Sequence, residues 1–392
     1  MTKPTLYELE TLTNLASATY GSRVLFATDE WFASASRLLL PEPPIFVANK
    51  FTSFGKWMDG WESRRKRIPG HDWCLLALGL RGLVDIVDID TAFFTGNYAP
   101  RVSIQAANIS QRSNTLRTLA AKATDKRAMG VCATAQEFEL VEKLESDKWV
   151  EIVPLTRLGA GYAETRHNLR RVHASKRGPW THLRVNVFPD GGIARLRVYG
   201  EVEMDWNSIL SSNLIDLVSI AHGGRVISYS DAHYGHPRNL IAPGRSKSMA
   251  DGWETARKAS RPAILTANVI TGLLEVAGKD WVVFKLGHSG VIHHVEVDTN
   301  FFKGNCPESC IVYGSEIRHC DENQLLNDTD VKWEVVLPRV KLLAHKQHFF
   351  SIADGTVNLI PTGVNYVKLE MFPDGGISRL RLLGYKREIS RL

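Results

Sequence analysis

The stretch Phe188-Pro-Asp-Gly-Gly-Ile-Ala-Arg-Leu-Arg197 returns later in the chain as Phe372-Pro-Asp-Gly-Gly-Ile-Ser-Arg-Leu-Arg381, with a single substitution. A decamer does not recur this closely by chance, so the chain is built from two copies of one unit. Around the first copy, apolar and polar residues alternate on both sides of Pro189-Asp-Gly-Gly192, which has the composition of a tight turn. The pattern predicts that each copy closes with a β-hairpin whose arginines lie on the face opposite the core.

Three further pairs of similar stretches trace the repeat along the chain. They are Arg23-Val-Leu-Phe-Ala-Thr-Asp29 with Arg225-Val-Ile-Ser-Tyr-Ser-Asp231, Asp59-Gly-Trp-Glu62 with Asp251-Gly-Trp-Glu254, and the segments 87–97 and 295–305, which both end in Phe-Phe-x-Gly-Asn. The spacing differs from pair to pair, which places insertions in the loops between them. We therefore predict an N-terminal segment at 1–19, a first module at 20–200, a linker at 201–221, a second module at 222–386 and a C-terminal tail at 387–392.

Most of the paired stretches have the pattern of strands. Residues 73–78 and 83–90, with their counterparts 281–286 and 291–298, are apolar or alternating runs bounded by turn residues. A clear helix is indicated only at 134–144, where Thr134 and Glu137 form a capping box, and residues 106–133 are expected to form a polar surface loop. The sequence thus predicts a mainly β protein of two tandem jelly-roll, galactose-binding-like β-sandwich modules with few helices.

Composition excludes several classes of protein. Hydrophobic residues make up 44% and charged residues 23% of the 392, as in ordinary globular proteins. No apolar run approaches the length of a membrane span, and the first ten residues lack the apolar core of a secretory signal. The net charge of +6 is spread along the chain without a nucleic-acid-binding motif. We therefore expect neither a membrane nor a nucleic-acid partner, and the basic balance suits a small anionic substrate.

The last three residues, Ser390-Arg391-Leu392, match the peroxisomal address S-K-L with arginine in place of lysine. They predict recognition by the peroxisomal import receptor and a peroxisomal location. A cytoplasmic location is the alternative.

Four motifs make this sequence similar to the allantoicase (allantoate amidinohydrolase) family, and the resemblance extends over nearly the whole chain. They are Asp59-Gly-Trp-Glu-Ser-Arg-Arg65, His71-Asp-Trp73, Phe93-Phe-Thr-Gly-Asn-Tyr-Ala-Pro-Arg101 and Phe188-Pro-Asp-Gly-Gly192. The resemblance implies a hydrolase that converts allantoate to ureidoglycolate and urea in purine degradation, and it implies a homo-oligomer. The alternative is a non-catalytic jelly-roll protein that binds a sugar or a small anion.

The loop that is repeated at Asp-Gly-Trp-Glu offers the side chains that this reaction needs. Allantoate is a small carboxylate with two ureido groups on one carbon. Arginine binds a carboxylate with two parallel hydrogen bonds, and a carboxylic acid or histidine can transfer protons. Glu62 and Glu254 are therefore candidate catalytic residues, and Arg64, Arg65 and Arg257 are candidate substrate-binding residues. The alternative is that the loop is a turn anchored by its tryptophan, with solvated charges.

Four other residues are less specific candidates. His71 and Asp72 could form an acid/base pair just before a strand, but the second copy has Lys279 in place of His71. Either the two halves are inequivalent or His71 is a surface histidine. Arg195 and Arg379 could bind a carboxylate, or they could be solvated residues on the polar faces of their hairpins.

The sequence indicates no metal site. His293 and His294 are adjacent on a predicted strand, so their side chains point to opposite faces and do not readily hold one ion. We predict no cofactor, and a divalent metal remains an open alternative. Asp90 and Asp298, which end predicted strands, are expected to cap the turns that follow, and Asn97 and Asn305 are expected to take turn dihedral angles.

Overall fold

A computed structural model describes residues 4, 6–110, 113–123, 129–261, 264–276, 278–318, 322, 325 and 331–387. The chain divides between Glu203 and Met204 into two units, called unit 1 and unit 2. The predicted peroxisomal address at 390–392 lies outside the described residues.

Unit 1 holds fourteen of the described strands. They are β1 (Thr13–Asn14), β2 (Arg23–Ala27), β3 (Asp29–Glu30), β4 (Phe51–Thr52), β5 (Gly55–Lys56), β6 (Trp61–Glu62), β7 (Asp72–Asp90), β8 (Arg101–Ala107), β9 (Val131–Cys132), β10 (Val150–Arg157), β11 (His167–Arg171), β12 (Trp180–Phe188), β13 (Gly192–Ile193) and β14 (Arg195–Val202).

Unit 2 holds ten described strands, several of which repeat those of unit 1. They are β15 (Ile215–Asp216), β16 (Arg225–Tyr229), β17 (Trp253–Glu254), β18 (Asp280–Asp298), β19 (Ser309–Ser315), β20 (Glu334–Lys341), β21 (Gln347–Ser351), β22 (Val364–Phe372), β23 (Gly376–Ile377) and β24 (Arg379–Lys386).

Helices are few, as predicted, and every α-helix in the described part of the chain lies in unit 1. The α-helices are α1 (Leu6–Thr11), α2 (Asn114–Ala123) and α3 (Ala135–Glu142). Short 3-10 helices occupy Ala18–Tyr20, Ala35–Leu39, Ser146–Lys148, Ala174–Lys176, Trp206–Ser208, Ile220–His222, Pro237–Ile241 and Met249–Asp251. None of the described helices is both long enough and apolar enough to cross a membrane.

One 19-residue strand organises each unit. The first part of β7 pairs with β2 and β12, and its second part, from Gly82 onward, pairs with β14 and β11. The strand therefore belongs to two layers, in the orders β2-β7-β12-β8-β10 and β1-β14-β7-β11. In unit 2, β18 pairs with β16 and β22 and then with β24 and β21 in the same way. The predicted fold class, mainly β with two tandem modules, is confirmed, although 73–78 and 83–90 are parts of one strand.

The predicted hairpins are wrong. In unit 1, β12 and β14 do not pair with each other, because β7 lies beside both of them. After β12 the chain crosses from one layer to the other, and on the way β13 pairs with β6. In unit 2 the same crossing pairs β23 with β17. The turn residues of the decamer therefore make a connection between layers, and the connection is held by the Asp-Gly-Trp-Glu loop.

The predicted surface loop at 106–133 is also wrong in its described part, which contains α2 and β9. Leu116 and Leu119 of α2 pack with Val141 of α3 against Phe26 and Leu75 on the outside of the sandwich. This second apolar layer covers a face of the sheet that would otherwise meet solvent. The capping box that begins α3 is present as predicted.

Candidate active site

The two repeated motifs meet in space. Gly192 pairs with Glu62 and Ile193 with Trp61, so the decamer and the Asp-Gly-Trp-Glu loop form a two-stranded ladder. The backbone N–H of Lys66 donates to Asp190 Oδ2 at 2.7 Å. The aspartate of the decamer thus fixes the loop that follows Glu62, and unit 2 repeats the bond between the Lys258 N–H and Asp374 at 2.9 Å.

A buried phenylalanine ring explains one glycine in each motif. A Cβ on Gly60 would lie 2.8 Å from the Phe94 ring, and one on Gly192 would lie 2.1 Å from it. Phe302 meets Gly252 and Gly376 in the same way in unit 2. The second phenylalanine of Phe-Phe-x-Gly-Asn is therefore the platform on which the ladder lies, and it brings the asparagine of that motif beside the glutamate.

The tryptophan anchors the loop in the core, as the alternative interpretation of the loop as an anchored turn predicted. The Trp61 indole N–H donates to the Asp29 carbonyl at 2.8 Å, and the side chain is fully buried. Trp253 makes the equivalent 2.8 Å bond to Asp231. The anchor fixes the backbone of the next residue, Glu62, at the end of the ladder.

The carboxyl group of Glu62 has a strongly shifted pKa. Burial raises the pKa of its carboxyl to about 7, although a hydrogen bond from Asn97 opposes the shift. The Asn97 Nδ2 donates to Oε1 at 2.7 Å and so fixes the orientation of the carboxyl group. In unit 2, Asn305 donates to Glu254 at 2.5 Å. A carboxyl group that changes its protonation near neutral pH is suited to acid–base catalysis.

The two arginines that follow Glu62 differ in their surroundings. Arg64 Nε donates to Asp29 Oδ2 at 2.7 Å, and its guanidinium lies 4.3 Å from the centre of the Trp31 ring. Arg65 is exposed and has neither a hydrogen bond nor an ion pair from its side chain to any other described residue, and the same holds for Arg257. Within the described part of the chain the side-chain donors of Arg65 and Arg257 are thus unused, whereas Arg64 binds Asp29.

The structure does not bring His71 and Asp72 together as an acid/base pair. Asp72 is buried, and its Oδ1 accepts a 2.7 Å hydrogen bond from Thr28 and a 2.8 Å ion pair from Lys66. His71 lies beside Asn186, with 3.0 Å from its Nε2 to Asn186 Oδ1, and stacks on a phenylalanine. Burial lowers the pKa of His71. Asp72 thus holds the loop to the sheet, and neither side chain contacts Glu62.

Arg195 does not lie on a solvated face. It is 1% exposed, and four of its N–H donors are bound within the unit. They contact Asp59 Oδ2 at 2.8 Å and the carbonyl oxygens of Asp59, Ala194 and Glu42 at 2.9, 2.8 and 3.0 Å. Arg379 is equally buried. The expectation of a polar face opposite the core is wrong for both residues, because a loop that runs over the strand buries their side chains.

Arg379 in unit 2 binds its loop in the same manner. It donates to Asp251 Oδ2 at 2.9 Å and to the carbonyl oxygens of Asp251, Ser378 and Gly244. The side chains of Arg195 and Arg379 thus hold their loops to the strands on which they lie.

The repeated architecture has counterparts among known proteins. The sequence model of one family, described as the allantoicase repeat, matches residues 13–203 and again 215–387. The chain belongs to the allantoicase family.

The relatives of this allantoicase-family chain match it over nearly its whole length. A probable allantoicase of Pseudomonas syringae pv. syringae is 39% identical over 375 residues, which cover 96% of both chains. A probable allantoicase of Burkholderia mallei is 38% identical over 372 residues, covering 95% of this chain and 94% of the relative. The solved allantoicase of Saccharomyces cerevisiae is 30% identical, with a TM-score of 0.68 over 95% of this chain and 93% of that one.

In this allantoicase-family site, the contact between Asn97 and Glu62 was not predicted from the sequence. Asn97 was expected only to take turn dihedral angles, yet its amide holds Glu62. Its recurrence as Asn305, at the same place in the repeated Phe-Phe-x-Gly-Asn, was the signal that could have found it. The capping role predicted for Asp90 is confirmed, since its Oδ1 accepts the Ala92 N–H at 2.8 Å, and Asp298 does the same for Asn300.

A separate cavity of about 880 Å³ lies on another part of unit 1. Its lining comes mainly from β10, β11 and the segment after β11, and includes His167, Arg170 and Lys176 but neither Glu62 nor Arg65. In the described part of the chain no three His, Cys, Asp or Glu side chains are grouped so as to hold a metal ion.

Proposed function

We propose that unit 1 hydrolyses allantoate with Glu62 as the proton-transferring group and Arg65 as the residue that binds the substrate carboxylate. The reaction is that of the allantoicase family, in which allantoate and water give ureidoglycolate and urea during purine degradation. We call Glu62, Asn97 and Arg65 the unit 1 trio.

The observation that supports this assignment most strongly is the environment of Glu62. With its pKa raised to about 7, the carboxyl group is partly protonated at neutral pH, whereas a solvated glutamate is almost fully ionised. The protonated form can donate to the leaving ureido nitrogen as the carbon–nitrogen bond breaks. The carboxylate that results can then accept a proton from the water molecule whose oxygen bonds to the same carbon. Acid–base assistance of this kind is typically worth about 10²–10⁴-fold in rate.

Arg65 is suited to the substrate carboxylate for two reasons. Its guanidinium is exposed and forms no hydrogen bond or ion pair with another described residue, and it follows Glu62 by three residues. The planar fork can form two parallel hydrogen bonds with a carboxylate, which orients the substrate as well as binding it. Orientation matters here because one of two ureido groups on the same carbon must leave.

The alternative of a non-catalytic binding protein is not favoured. A site that only binds a neutral sugar has no use for a carboxyl group whose pKa lies near 7. The relatives that match over the whole chain are allantoicases.

Urea release from allantoate by the purified chain tests the function, and Glu62→Gln tests the assignment. The glutamine keeps the size of the side chain and can still accept the Asn97 hydrogen bond, but it cannot transfer a proton. We expect kcat to fall by about 10²–10⁴-fold with unchanged thermal unfolding. A variant with wild-type kcat would remove Glu62 from the mechanism.

Location and assembly are further proposals. The address at 390–392 supports import into peroxisomes, whereas the bacterial relatives favour the cytoplasmic alternative, since bacteria have no peroxisomes. Fluorescence microscopy of a tagged chain with and without its last three residues distinguishes the two. The homo-oligomer that the family resemblance implies is tested by light scattering of the purified protein.

A further inference from the structure

The repeated residues of the two units fall into two groups: those whose side chains bind other repeated parts of their unit, and those whose side chains do not. Several repeated side chains have partners that are themselves repeated. They are Trp61 and Trp253 on the carbonyls of Asp29 and Asp231, Asp59 and Asp251 on Arg195 and Arg379, and Lys66 and Lys258 on Asp72 and Asp280. Common folding alone explains why both units have these residues.

Three repeated polar residues differ from these, because no repeated residue outside their own set binds their side chains: the glutamate and the asparagine bind each other, and the arginine binds no described residue. Unit 2 has Glu254, Asn305 and Arg257 at the positions of the unit 1 trio, and we call them the unit 2 trio. Asn305 holds Glu254 at 2.5 Å, while the Arg257 side chain is exposed and contacts no other described residue through a hydrogen bond or ion pair. The bonded Glu–Asn pair lies at the edge of the short β17–β23 ladder, which the buried tryptophan and phenylalanine rings already anchor.

The surroundings of the trio have diverged, which makes its retention informative. Arg64 is replaced by Ala256, and His71 is replaced by Lys279. Lys279 forms a 2.8 Å ion pair with Glu370, which stands where unit 1 has Asn186, the partner of His71. Two polar positions in the segment that follows the glutamate have therefore been exchanged or lost, while the trio has been kept together with its internal hydrogen bond.

We propose that the unit 2 trio is a second binding site for the ligand class of unit 1, a small carboxylate that carries a ureido group. The exposed Arg257 guanidinium binds the carboxylate, and the Glu254 carboxylate accepts an N–H of the ureido group while Asn305 fixes its orientation. The ligand class is taken from the proposed function of unit 1, so this inference rests on that proposal.

Equilibrium dialysis of the full chain with radiolabelled N-carbamoylglycine tests the second site. This compound carries the carboxylate and one ureido group on the same carbon, so it offers the same recognition groups, but that carbon lacks the second ureido group of allantoate. We expect two molecules bound per wild-type chain and one per Arg257→Ala chain. The exposed Arg318 of unit 2 supplies the matched control, and Arg318→Ala should still bind two.

A second variant covers the event that the loss of Arg257 disturbs the protein. Glu254→Gln preserves side-chain size, and we expect it to weaken one of the two binding events at least tenfold with unchanged unfolding temperature. One molecule per wild-type chain, with no change in Arg257→Ala and Glu254→Gln, would overturn the second site. That result would leave the proposed function standing, because the latter is decided by the turnover of Glu62→Gln.

Discussion

The assignment of Arg195 to the fold can be tested by replacing it with methionine, which has a similar length and no charge. The substitution removes the 2.8 Å ion pair with Asp59 and the donors to the Asp59 and Glu42 carbonyl oxygens. Asp59 would keep its bonds from Arg37 at 2.8 Å and from the Ile45 N–H at 3.0 Å. The Asp59 carboxylate would then remain buried without the ion pair and hydrogen bond from Arg195.

The expected cost follows from the burial of both partners. Their side chains are 2% and 6% exposed, and removing one member of a buried ion pair typically costs about 3–5 kcal/mol. For a unit of this size each kcal/mol lowers the melting temperature by about 2–4 °C, so Arg195→Met should melt about 6–20 °C below wild type. Scanning calorimetry and urea unfolding measure the change.

The pH dependence of this stabilisation has a definite sign. Burial disfavours ionisation of Asp59, but Arg195, the Ile45 N–H and Arg37 outweigh it and hold the pKa of Asp59 below its ordinary value. A carboxyl whose pKa is lowered by folding stabilises the folded state above its unfolded pKa. That stabilisation is lost as the pH falls through the folded value. The difference in stability between wild type and Arg195→Met should therefore shrink in acid.

Arg197, two residues along the same strand, supplies the matched control. Within the described residues its guanidinium binds carbonyl oxygens alone, those of Leu40, Pro41 and Glu42, so Arg197→Met should cost about 1–3 kcal/mol, less than Arg195→Met. At a temperature where it is folded, Arg195→Met should keep the wild-type KM for allantoate. A raised KM with a loss of stability below about 1 kcal/mol would refute the structural role and restore Arg195 as a substrate-binding residue.

Three further predictions concern the site. Asn97→Ala removes a hydrogen bond that lowers the pKa of Glu62, so the fall in kcat/KM that we expect above about pH 7 should move to higher pH; a movement to lower pH would contradict the contact. Gly192→Ala places a methyl group 2.1 Å from a buried phenylalanine ring and should cost about 3 kcal/mol in urea unfolding, whereas Gly96→Ala, whose Cβ meets nothing within 4 Å, should cost little; equal costs would argue against the platform. His71→Asn should lower kcat less than tenfold, since His71 contacts neither Glu62 nor Arg65, and a loss of 10²-fold would place it in the mechanism.

One local signal in the sequence, the capping box, predicted its structure correctly. Thr134 and Glu137 lie three residues apart and form their capping box without help from the rest of the chain. The repeat also predicted two modules of one architecture, since its signal is the similarity between distant segments and needs no knowledge of packing.

Features that depend on distant partners were not predictable in this way. Alternation around the decamer identified two strands, but nothing local shows that β7, about a hundred residues earlier, lies beside both of them. The burial of Arg195 has the same origin. A period of two shows that a strand has two faces, but not that the backbone of Glu42 covers the second face.

The candidate site was predictable in part. Glu62 and Arg65 were predicted because they lie in one repeated loop, and their roles remain predictions. Asp72 was predicted to form an acid/base pair with His71, yet its carboxylate binds Lys66 and Thr28, two contacts that no spacing along the chain indicates.

The long strand β7 also sets the order in which the protein can form during its synthesis. Its partners β12 and β14 end at residues 188 and 202, so the strand emerges from the ribosome long before most of its hydrogen-bonding partners exist. Pairing between such distant segments is intrinsically slow, and a strand whose edges are still unpaired is prone to aggregate with other chains. The first unit nevertheless has its complete set of partners once residue 202 has left the exit tunnel, while the second unit is still being translated. A translational pause once residue 202 has left the exit tunnel should therefore increase the yield of folded chain. A pause once residue 90 has left the tunnel should decrease that yield.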